Sequence, residues 1–177
     1  MKATGIIRRI DELGRIVIPK EIRKNLKIRE GESLEIYINS DETIILKKFS
    51  VLKNLKDFSK LLVESIYGDI KKNIIITDTD KVIAVSGKDK KDLMDKELSE
   101  NIVFSINRRE KMLEKHTKKL KITEDYEIES TYTISTIISN GDAVGSVIIY
   151  DSEEKIGEIE EKIANVVASF LAKHIEE

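Results

Sequence analysis

The first part of the chain alternates between short apolar stretches and polar turns. Residues 5–10 (GIIRRI) and 14–18 (GRIVI) are rich in β-branched side chains, so they predict two short strands around a polar turn. Pro19 follows at a position that suits the first turn of a helix, where a missing N–H costs nothing. Residues 20–26 then place two apolar side chains on one face at a four-residue spacing, which predicts a short helix.

Strict alternation of apolar and polar positions follows this helix. Residues 33–38 (SLEIYI) place Leu34, Ile36 and Ile38 on one face, and residues 43–48 (TIILKK) come after the turn sequence NSDE. Two such runs around a short polar turn predict a β-hairpin.

After residue 50 the apolar positions change to a helical period. Residues 51–67 carry apolar side chains at steps of three and four residues, which predicts an amphipathic helix. These side chains are Leu52, Leu55, Phe58, Leu62 and Ile66. Residues 155–177 follow the same rule and predict a C-terminal helix with a continuous apolar stripe. That stripe consists of Ile156, Ile159, Ile163, Val166, Val167, Phe170 and Leu171.

Two further hairpins are predicted between these helices. Residues 73–77 (NIIIT) and 81–85 (KVIAV) are apolar runs on either side of the turn DTD. Residues 131–139 and 143–150 flank Asn140-Gly141, the dipeptide most typical of a two-residue hairpin turn.

Residues 86–116, between the two hairpins, are polar and helical in character, with Ser99 as an N-cap. The order helix, hairpin, helices, hairpin, helix indicates an α+β domain with an antiparallel sheet and flanking helices. We therefore expect two domains, a β-rich domain of residues 1–52 and an α+β domain of residues 53–177.

The smaller domain has too few residues to bury much apolar surface by itself. Four short strands with open edges would also be prone to aggregate. Without disulfides or a metal, two copies that complete one another's sheet are the simplest solution. We predict a homodimer formed through residues 1–52.

Charge is distributed unevenly along the chain. The protein has 31 Lys and Arg residues against 33 Asp and Glu residues, a net charge of -2. Residues 1–29 depart from this balance, because their anions are only Asp11, Glu12 and Glu21. Their cations are Lys2, Arg8, Arg9, Arg15, Lys20, Arg23, Lys24, Lys27 and Arg29.

Most clusters of like charge are solvated surface, but a surface that serves solubility interleaves both signs. Here the cations are collected in the unit that is predicted to dimerise. Two-fold symmetry would double the cluster and present a broad positive surface to a nucleic-acid duplex. The planar guanidinium group of arginine also suits phosphate and guanine. Double-stranded DNA is therefore the predicted partner.

Residues 1–50 resemble the AbrB-type DNA-binding domain of bacterial transition-state regulators, with GRIVIPKEIR as the most specific string. The resemblance implies an intertwined, swapped-hairpin dimer and four DNA-contacting positions. At the last of these the family often has arginine, and the lysine found here keeps the charge but loses the planar fork. The four positions are Arg8, Arg15, Arg23 and Lys24. With two neighbouring cations included, the predicted DNA-binding residues are Arg8, Arg9, Arg15, Lys20, Arg23 and Lys24.

The complete chain resembles AbrB-family sporulation regulators that have a GAF-like second half. The strings MKATGI, AVSGKDKKDL and NGDAVGSVIIY carry this resemblance, together with the near-continuous helix after KKFS. It implies a homotetramer in which helices of residues 53–177 join two dimers. It also implies that the GAF-like half can sense a small molecule, whose identity and binding residues the sequence does not give.

Candidates for other chemistry are few. Asp78 and Asp80 could pair as carboxylates or metal ligands, but their place between two strands favours an ordinary turn. Residues 85–92 (VSGKDKKD) could bind an anion, yet they lack the spacing of phosphate-binding loops, which favours a surface loop. His116 and His174 have no suitably spaced partner, and the chain has no cysteine. We expect no catalytic residue, no metal and no cofactor.

These patterns and the two resemblances together imply a sequence-selective DNA-binding transcriptional regulator that controls gene expression during sporulation. We expect it to act in the cytoplasm on the nucleoid and not to be an enzyme. No apolar run is long enough to span a bilayer and no signal peptide is recognisable, so no membrane association is expected. An antitoxin of an AbrB-like toxin–antitoxin pair is one alternative, although its tail would be flexible and residues 53–177 are patterned as a folded domain. A DNA-organising protein without a ligand is another.

Overall fold

The computed structural model describes residues 5–50, 52 and 55–176. The chain divides into two compact units, Met1–Phe49 and Ser50–Glu177, which are called the first and second unit below. Lys2, one of the counted cations, lies outside the described residues, and so does Val51 at the predicted start of a helix. None of the described helices is long and apolar enough to cross a membrane.

The short helix and the hairpin predicted for the first unit are confirmed. Helix α1 covers Lys20–Asn25, strand β1 covers Leu34–Ile38 and strand β2 covers Ile44–Lys48. The two strands pair in antiparallel register with Ile36 opposite Leu46. Local signals suffice here because the helix and the hairpin each form from one continuous stretch of chain.

The prediction of strands at residues 5–10 and 14–18 is wrong for the single chain. Neither segment has regular secondary structure, although the turn between them forms, with Asp11 N donating to Arg15 O at 3.1 Å and Gly14 N to Asp11 O at 2.9 Å. A strand is stabilised by the hydrogen-bond ladder of a neighbouring strand. Within the described part of one copy, these two β-rich segments have no such neighbour.

A five-stranded antiparallel sheet forms the centre of the second unit. Its strands are β3 Asn73–Thr77, β4 Val82–Ser86, β5 Lys111–Thr123, β6 Tyr126–Ser139 and β7 Asp142–Asp151. They lie in the order β4-β3-β7-β6-β5. Both predicted hairpins are confirmed, since β3 pairs with β4 and β6 with β7. At the second turn Asn140 (φ 49°) and Gly141 (φ 84°) adopt the left-handed conformation that a two-residue hairpin needs.

Helices cover both faces of this sheet. They are α2 Lys56–Ile70, α3 Lys90–Leu93, α4 Glu100–Asn107 and α5 Glu158–Glu176. Successive side chains of β3 point to opposite faces, so Ile74 and Ile76 pack with α2 and α5 whereas Ile75 packs with α3 and α4. All three isoleucines are fully buried. A sheet with two covered faces explains why its central strands are apolar without alternation.

The helical interpretation of residues 86–116 is right in part. Ser99 caps α4 as predicted, with its Oγ accepting from Ile102 N at 3.4 Å. Residues 111–116 are not helical, because they form the beginning of strand β5. This strand lies at the edge of the sheet, where Met112 is opposite Ile134. Lysine and glutamate favour helices by intrinsic propensity. On an edge strand, however, lysine also protects the open edge from pairing with other chains.

The beginning of the second unit is anchored in its core. Leu52 is fully buried and packs against Gly145 in β7. A Cβ atom at Gly145 would lie 2.6 Å from Leu52 Cδ1 and 2.0 Å from the carbonyl oxygen of Thr77. Glycine is therefore required at this position for β7 to approach β3 and for Leu52 to fit against both.

Candidate nucleic-acid interface

The six predicted DNA-binding residues all belong to the first unit. Arg8 and Arg9 precede the turn at residues 11–14, Arg15 follows it, and the other three lie on helix α1. On α1, Lys20 and Lys24 share a face because they are four residues apart. All six are exposed except Arg23, which is half-buried.

A short loop closed by Asp11 carries Arg15. Oδ1 of Asp11 accepts from Leu13 N at 3.0 Å and from Arg15 N at 2.8 Å, which fixes the backbone as an Asx turn. Oδ2 accepts from Nε of Arg15 at 2.7 Å. The Arg15 backbone N–H, the Arg15 side chain and the Leu13 N–H hold the pKa of Asp11 below its usual range.

Arg15 remains accessible in spite of this contact. Its side chain is 72% exposed. The contact with Asp11 uses Nε, and among the described residues no partner is recorded for the two terminal nitrogens. Those two nitrogens form the end of the guanidinium fork that can bind a phosphate or a guanine edge in a bidentate manner.

Arg23 lies in a different environment on helix α1. Its backbone N–H donates to Pro19 O at 3.0 Å and its carbonyl oxygen accepts from Ile28 N at 2.7 Å, so both ends of the helix hold its position. Its side-chain Nε is buried and has no hydrogen-bond partner within the described part of the chain. An unpaired buried donor costs about 1–3 kcal/mol, which favours an acceptor supplied by another molecule.

The first unit also exposes much apolar surface. Ile7 is 87% exposed, Val17 72% and Ile38 78%, although all three belong to β-rich segments. The other large apolar side chains exposed in this unit are Ile6, Ile10, Leu13, Ile16, Leu26, Ile36, Tyr37, Ile44, Leu46 and Phe49. An apolar surface of this extent in so small a unit is typical of a protein–protein interface.

The other candidate residues are structural. Asp78 caps the β3–β4 turn, as its Oδ1 accepts from Asp80 N at 2.7 Å and from Lys81 N at 2.6 Å. The ordinary turn predicted there is confirmed. In the loop after β4, Lys88 N donates to Asn73 Oδ1 at 2.8 Å, so this amide is already paired within the protein. The described residues contain no group of acidic and histidine side chains that could hold a metal ion.

Both histidines lie at the surface of the second unit. His116 is exposed on β5, where its backbone N–H donates to Glu114 Oε1 at 3.1 Å. His174 is exposed on α5 and stacks on Phe58, with ring centroids 4.9 Å apart.

Sequence reasoning missed two polar arrangements. The sequence placed Asp11 in a polar turn and counted its charge, but it did not indicate the contact with the Arg15 side chain, although an Asp in a turn often bonds the backbone two residues further on. The other is a partly buried hydrogen bond of 2.6 Å from Tyr150 Oη to Asp89 Oδ2. Its partners are far apart in sequence, so no local pattern could have indicated it.

Two family models match the chain, and the boundary between them lies close to the boundary between the two compact units. Residues 54–176 match the family model of stage V sporulation protein T C-terminal, transcription factor. Residues 7–50 match the model of antidote-toxin recognition MazE, bacterial antitoxin.

Whole proteins give a consistent result. The chain is 42% identical over 178 residues to stage V sporulation protein T of Bacillus subtilis, with all of both chains covered. It is 61% identical over 49 residues to the transition state regulatory protein AbrB of the same organism, covering 28% of this chain and 50% of that protein.

Among solved structures, the GAF domain of a phosphoenolpyruvate-protein phosphotransferase from Coxiella burnetii is similar to the second unit. The TM-score is 0.54 at 20% identity, and the match covers 69% of this chain and 82% of that one. At this identity the likeness concerns the fold alone. The predicted fold class, an AbrB-type first unit and a GAF-like α+β second unit, is confirmed.

Proposed function

The chain belongs to the family of stage V sporulation protein T, and we propose that it is a sequence-selective DNA-binding regulator of transcription during sporulation. The similarity over the complete length carries this proposal, because it covers the DNA-binding unit and the GAF-like unit together. The regulator acts in the cytoplasm, on the nucleoid, and performs no catalysis.

DNA binds to the first unit through its basic residues. Arg15 presents its terminal nitrogens beyond Asp11, and the cations of α1 add charge on an exposed helix. Arg8 Nη1 is held by Ile7 O at 3.1 Å, which leaves its other nitrogens for phosphate. The proposed contacts are Arg8, Arg9, Arg15, Lys20, Arg23 and Lys24.

Two copies of the first unit form the binding surface. The exposed apolar side chains and the unpaired β-rich segments at residues 5–10 and 14–18 support this dimer, since a second copy would cover the former and pair with the latter. Each copy then contributes its own cations, and the DNA meets both sets.

The salt dependence of binding tests this model. If four cations of each protomer neutralise phosphates, the slope of log K against log salt is about -7, and a fourfold rise in salt weakens binding by about 10⁴. Fluorescence anisotropy with a duplex selected from random DNA by the full-length protein measures the slope. Failure to select any duplex, or a slope near zero, would contradict the proposal.

Helices of the second unit join two dimers into a tetramer. On α5, Ile159 is 70% exposed, Val166 67% and Phe170 48%, and helical spacing places the three on one stripe. Phe170 lies beside Phe58 of α2, with ring centroids 5.8 Å apart. An apolar stripe shared by two neighbouring helices supports packing against the same stripe of a second dimer.

The GAF-like unit also senses a small molecule. A bound small molecule would act by changing the relative placement of the two DNA-binding dimers, which requires two defined states of the assembly. Native mass spectrometry of freshly purified full-length protein reports the oligomer and a retained ligand together. Identical DNA affinity before and after removal of that ligand would contradict a sensing role.

The match of residues 7–50 to an antitoxin model keeps an antitoxin as the second candidate. In antitoxins of this kind the tail wraps the toxin, whereas here the second unit has two packed apolar clusters around its sheet. Limited proteolysis distinguishes the two. A resistant product that contains the complete second unit favours the regulator, and rapid loss of that unit favours the antitoxin.

A further inference from the structure

We propose that Asp11 is a specificity-determining residue, which restrains Arg15 so that DNA is bound in a sequence-selective rather than a general manner. The inference rests on the proposed DNA-binding function. In this proposal an acidic side chain contributes to the recognition of DNA, although DNA itself is a polyanion.

Three hydrogen bonds converge on this one carboxylate. Oδ1 fixes the backbone of the loop through the N–H groups of Leu13 and Arg15, at 3.0 and 2.8 Å. Oδ2 holds Arg15 Nε at 2.7 Å. The two oxygens therefore have separate tasks, one on the backbone and one on the side chain.

The contact with Nε limits how Arg15 can meet DNA. With Nε occupied, the guanidinium group can form a bidentate contact only through its two terminal nitrogens, end-on. That geometry suits the O6 and N7 atoms of a guanine. A free arginine side chain could instead reach phosphates in many orientations, and it would lose more rotamer freedom on binding.

The net charge of the Arg15–Asp11 pair also favours a guanine contact over a phosphate contact. Arg15 and Asp11 are both accessible, with side chains 72% and 42% exposed, and together they are neutral. A neutral pair attracts phosphate less than a free cation does, so random DNA gains little from it. A guanine edge, which carries no net charge, still accepts both hydrogen bonds from the terminal nitrogens.

In the full-length protein, Asp11→Asn should keep the hydrogen bonds to the loop backbone and remove the one to the Arg15 side chain. The amide oxygen can still accept from both backbone N–H groups, whereas the amide nitrogen cannot accept from Nε. Glu12→Gln is the matched control, because it removes the same charge from the neighbouring exposed residue. Affinities are measured for the duplex selected by the wild-type protein and for a random-sequence duplex of the same length.

We expect Asp11→Asn to lower the ratio of the two affinities about tenfold, with tighter binding of the random duplex, while Glu12→Gln stays within about twofold of wild type. The size of the effect is that of part of one bidentate base contact. In an Arg15→Ala background, Asp11→Asn should leave the ratio unchanged, because no side chain remains to be restrained. Native mass spectrometry and thermal unfolding confirm that both variants are folded.

An unchanged ratio in folded Asp11→Asn would overturn the inference and leave the proposed function intact. An equal loss in Glu12→Gln would also overturn it, since general charge would then account for the effect. If the wild-type protein has no preference between the two duplexes, the proposed sequence-selective function itself fails.

Discussion

The hydroxyl group of Ser50 donates a hydrogen bond of 3.0 Å to Oδ2 of Asp78. The other carboxylate oxygen of Asp78 accepts from the backbone N–H groups of Asp80 and Lys81. One buried carboxylate thus connects the first residue of the second unit to the turn between β3 and β4. The connection fixes where the chain enters the GAF-like unit.

Asp78→Ala should destabilise the protein by about 1–3 kcal/mol, because it leaves three partly buried donors without their acceptor. Asp125→Ala is the control, since this carboxylate is exposed in the β5–β6 turn. Scanning calorimetry of both variants measures the effect. Equal melting temperatures for the two variants would contradict the role given to Asp78.

Arg15→Ala should weaken binding to the selected duplex at least tenfold while the oligomer stays intact. The reason is the loss, from each protomer, of one guanidinium fork that can form a bidentate contact with DNA. Gel-shift titration measures the affinity, and Arg109→Ala in the second unit removes the same charge as a control. Unchanged binding by Arg15→Ala would show that Arg15 is not a DNA contact.

Gly145→Ala should lower stability by about 1–3 kcal/mol, since the added Cβ would overlap the Thr77 carbonyl oxygen and Leu52. Gly68→Ala offers the opposite case. Gly68 lies in α2 with open space around it, so alanine there should stabilise the protein by about 0.5–1 kcal/mol. Thermal unfolding should give a lower melting temperature for Gly145→Ala and a higher one for Gly68→Ala. If both melting temperatures shifted in the same direction, that result would be inconsistent with this packing.

Stability should fall at alkaline pH through Tyr150. This tyrosine is 2% exposed, and burial raises its pKa far above the ordinary value of 10.0, with the hydrogen bond to Asp89 adding to the effect. The unfolded chain then ionises above about pH 10 while the folded chain does not. The stabilisation that comes from keeping Tyr150 neutral in the folded state is complete below about pH 10. Above that pH it decreases by about 1.4 kcal/mol for each further pH unit.

Tyr150→Phe has no proton to lose, so its melting temperature should decline less steeply than that of the wild type between about pH 10 and 11. The difference between the two curves isolates this tyrosine from the lysines, which titrate in both proteins. Parallel curves would mean that Tyr150 ionises equally in the folded and unfolded states.

Val166→Glu should convert the proposed tetramer into dimers that still bind DNA. Val166 is largely exposed in the single chain, so the substitution costs the fold little, but it would bury a charge in the proposed helix interface. Asn101→Glu adds the same charge at an exposed position of α4. Native mass spectrometry should find dimers only for Val166→Glu, and a persistent tetramer would exclude this stripe as the interface.

Elements with local signals could be predicted from the sequence. The turn at Asn140-Gly141 and the Ser99 cap both depend on residues that are neighbours in the chain, and both are confirmed. The first part of strand β5, residues 111–116, was predicted as helix because its lysines and glutamates suit a helix by propensity. Its pairing with β6 is a tertiary contact, which overrides that propensity.

Predictions that depend on other parts of the protein were less successful. Residues 5–10 and 14–18 have the composition of strands, yet a strand also needs a partner, and the described part of one copy places no strand beside them. In the candidate site, the six cations could be chosen from charge and family resemblance. The hydrogen bond that holds Arg15 depends on the conformation of the loop and emerged only from the structure.

The buried position of Leu52 has a practical consequence for dividing this protein. Cutting the chain after residue 52 would remove a side chain that fills space against Gly145, and the resulting cavity would cost the isolated GAF-like unit about 2–5 kcal/mol. A fragment that begins at Ser50 keeps both this side chain and the hydrogen bond to Asp78. Ligand screening on the isolated unit should therefore use the longer fragment, because an empty hydrophobic cavity would itself bind small apolar molecules and imitate a sensor site.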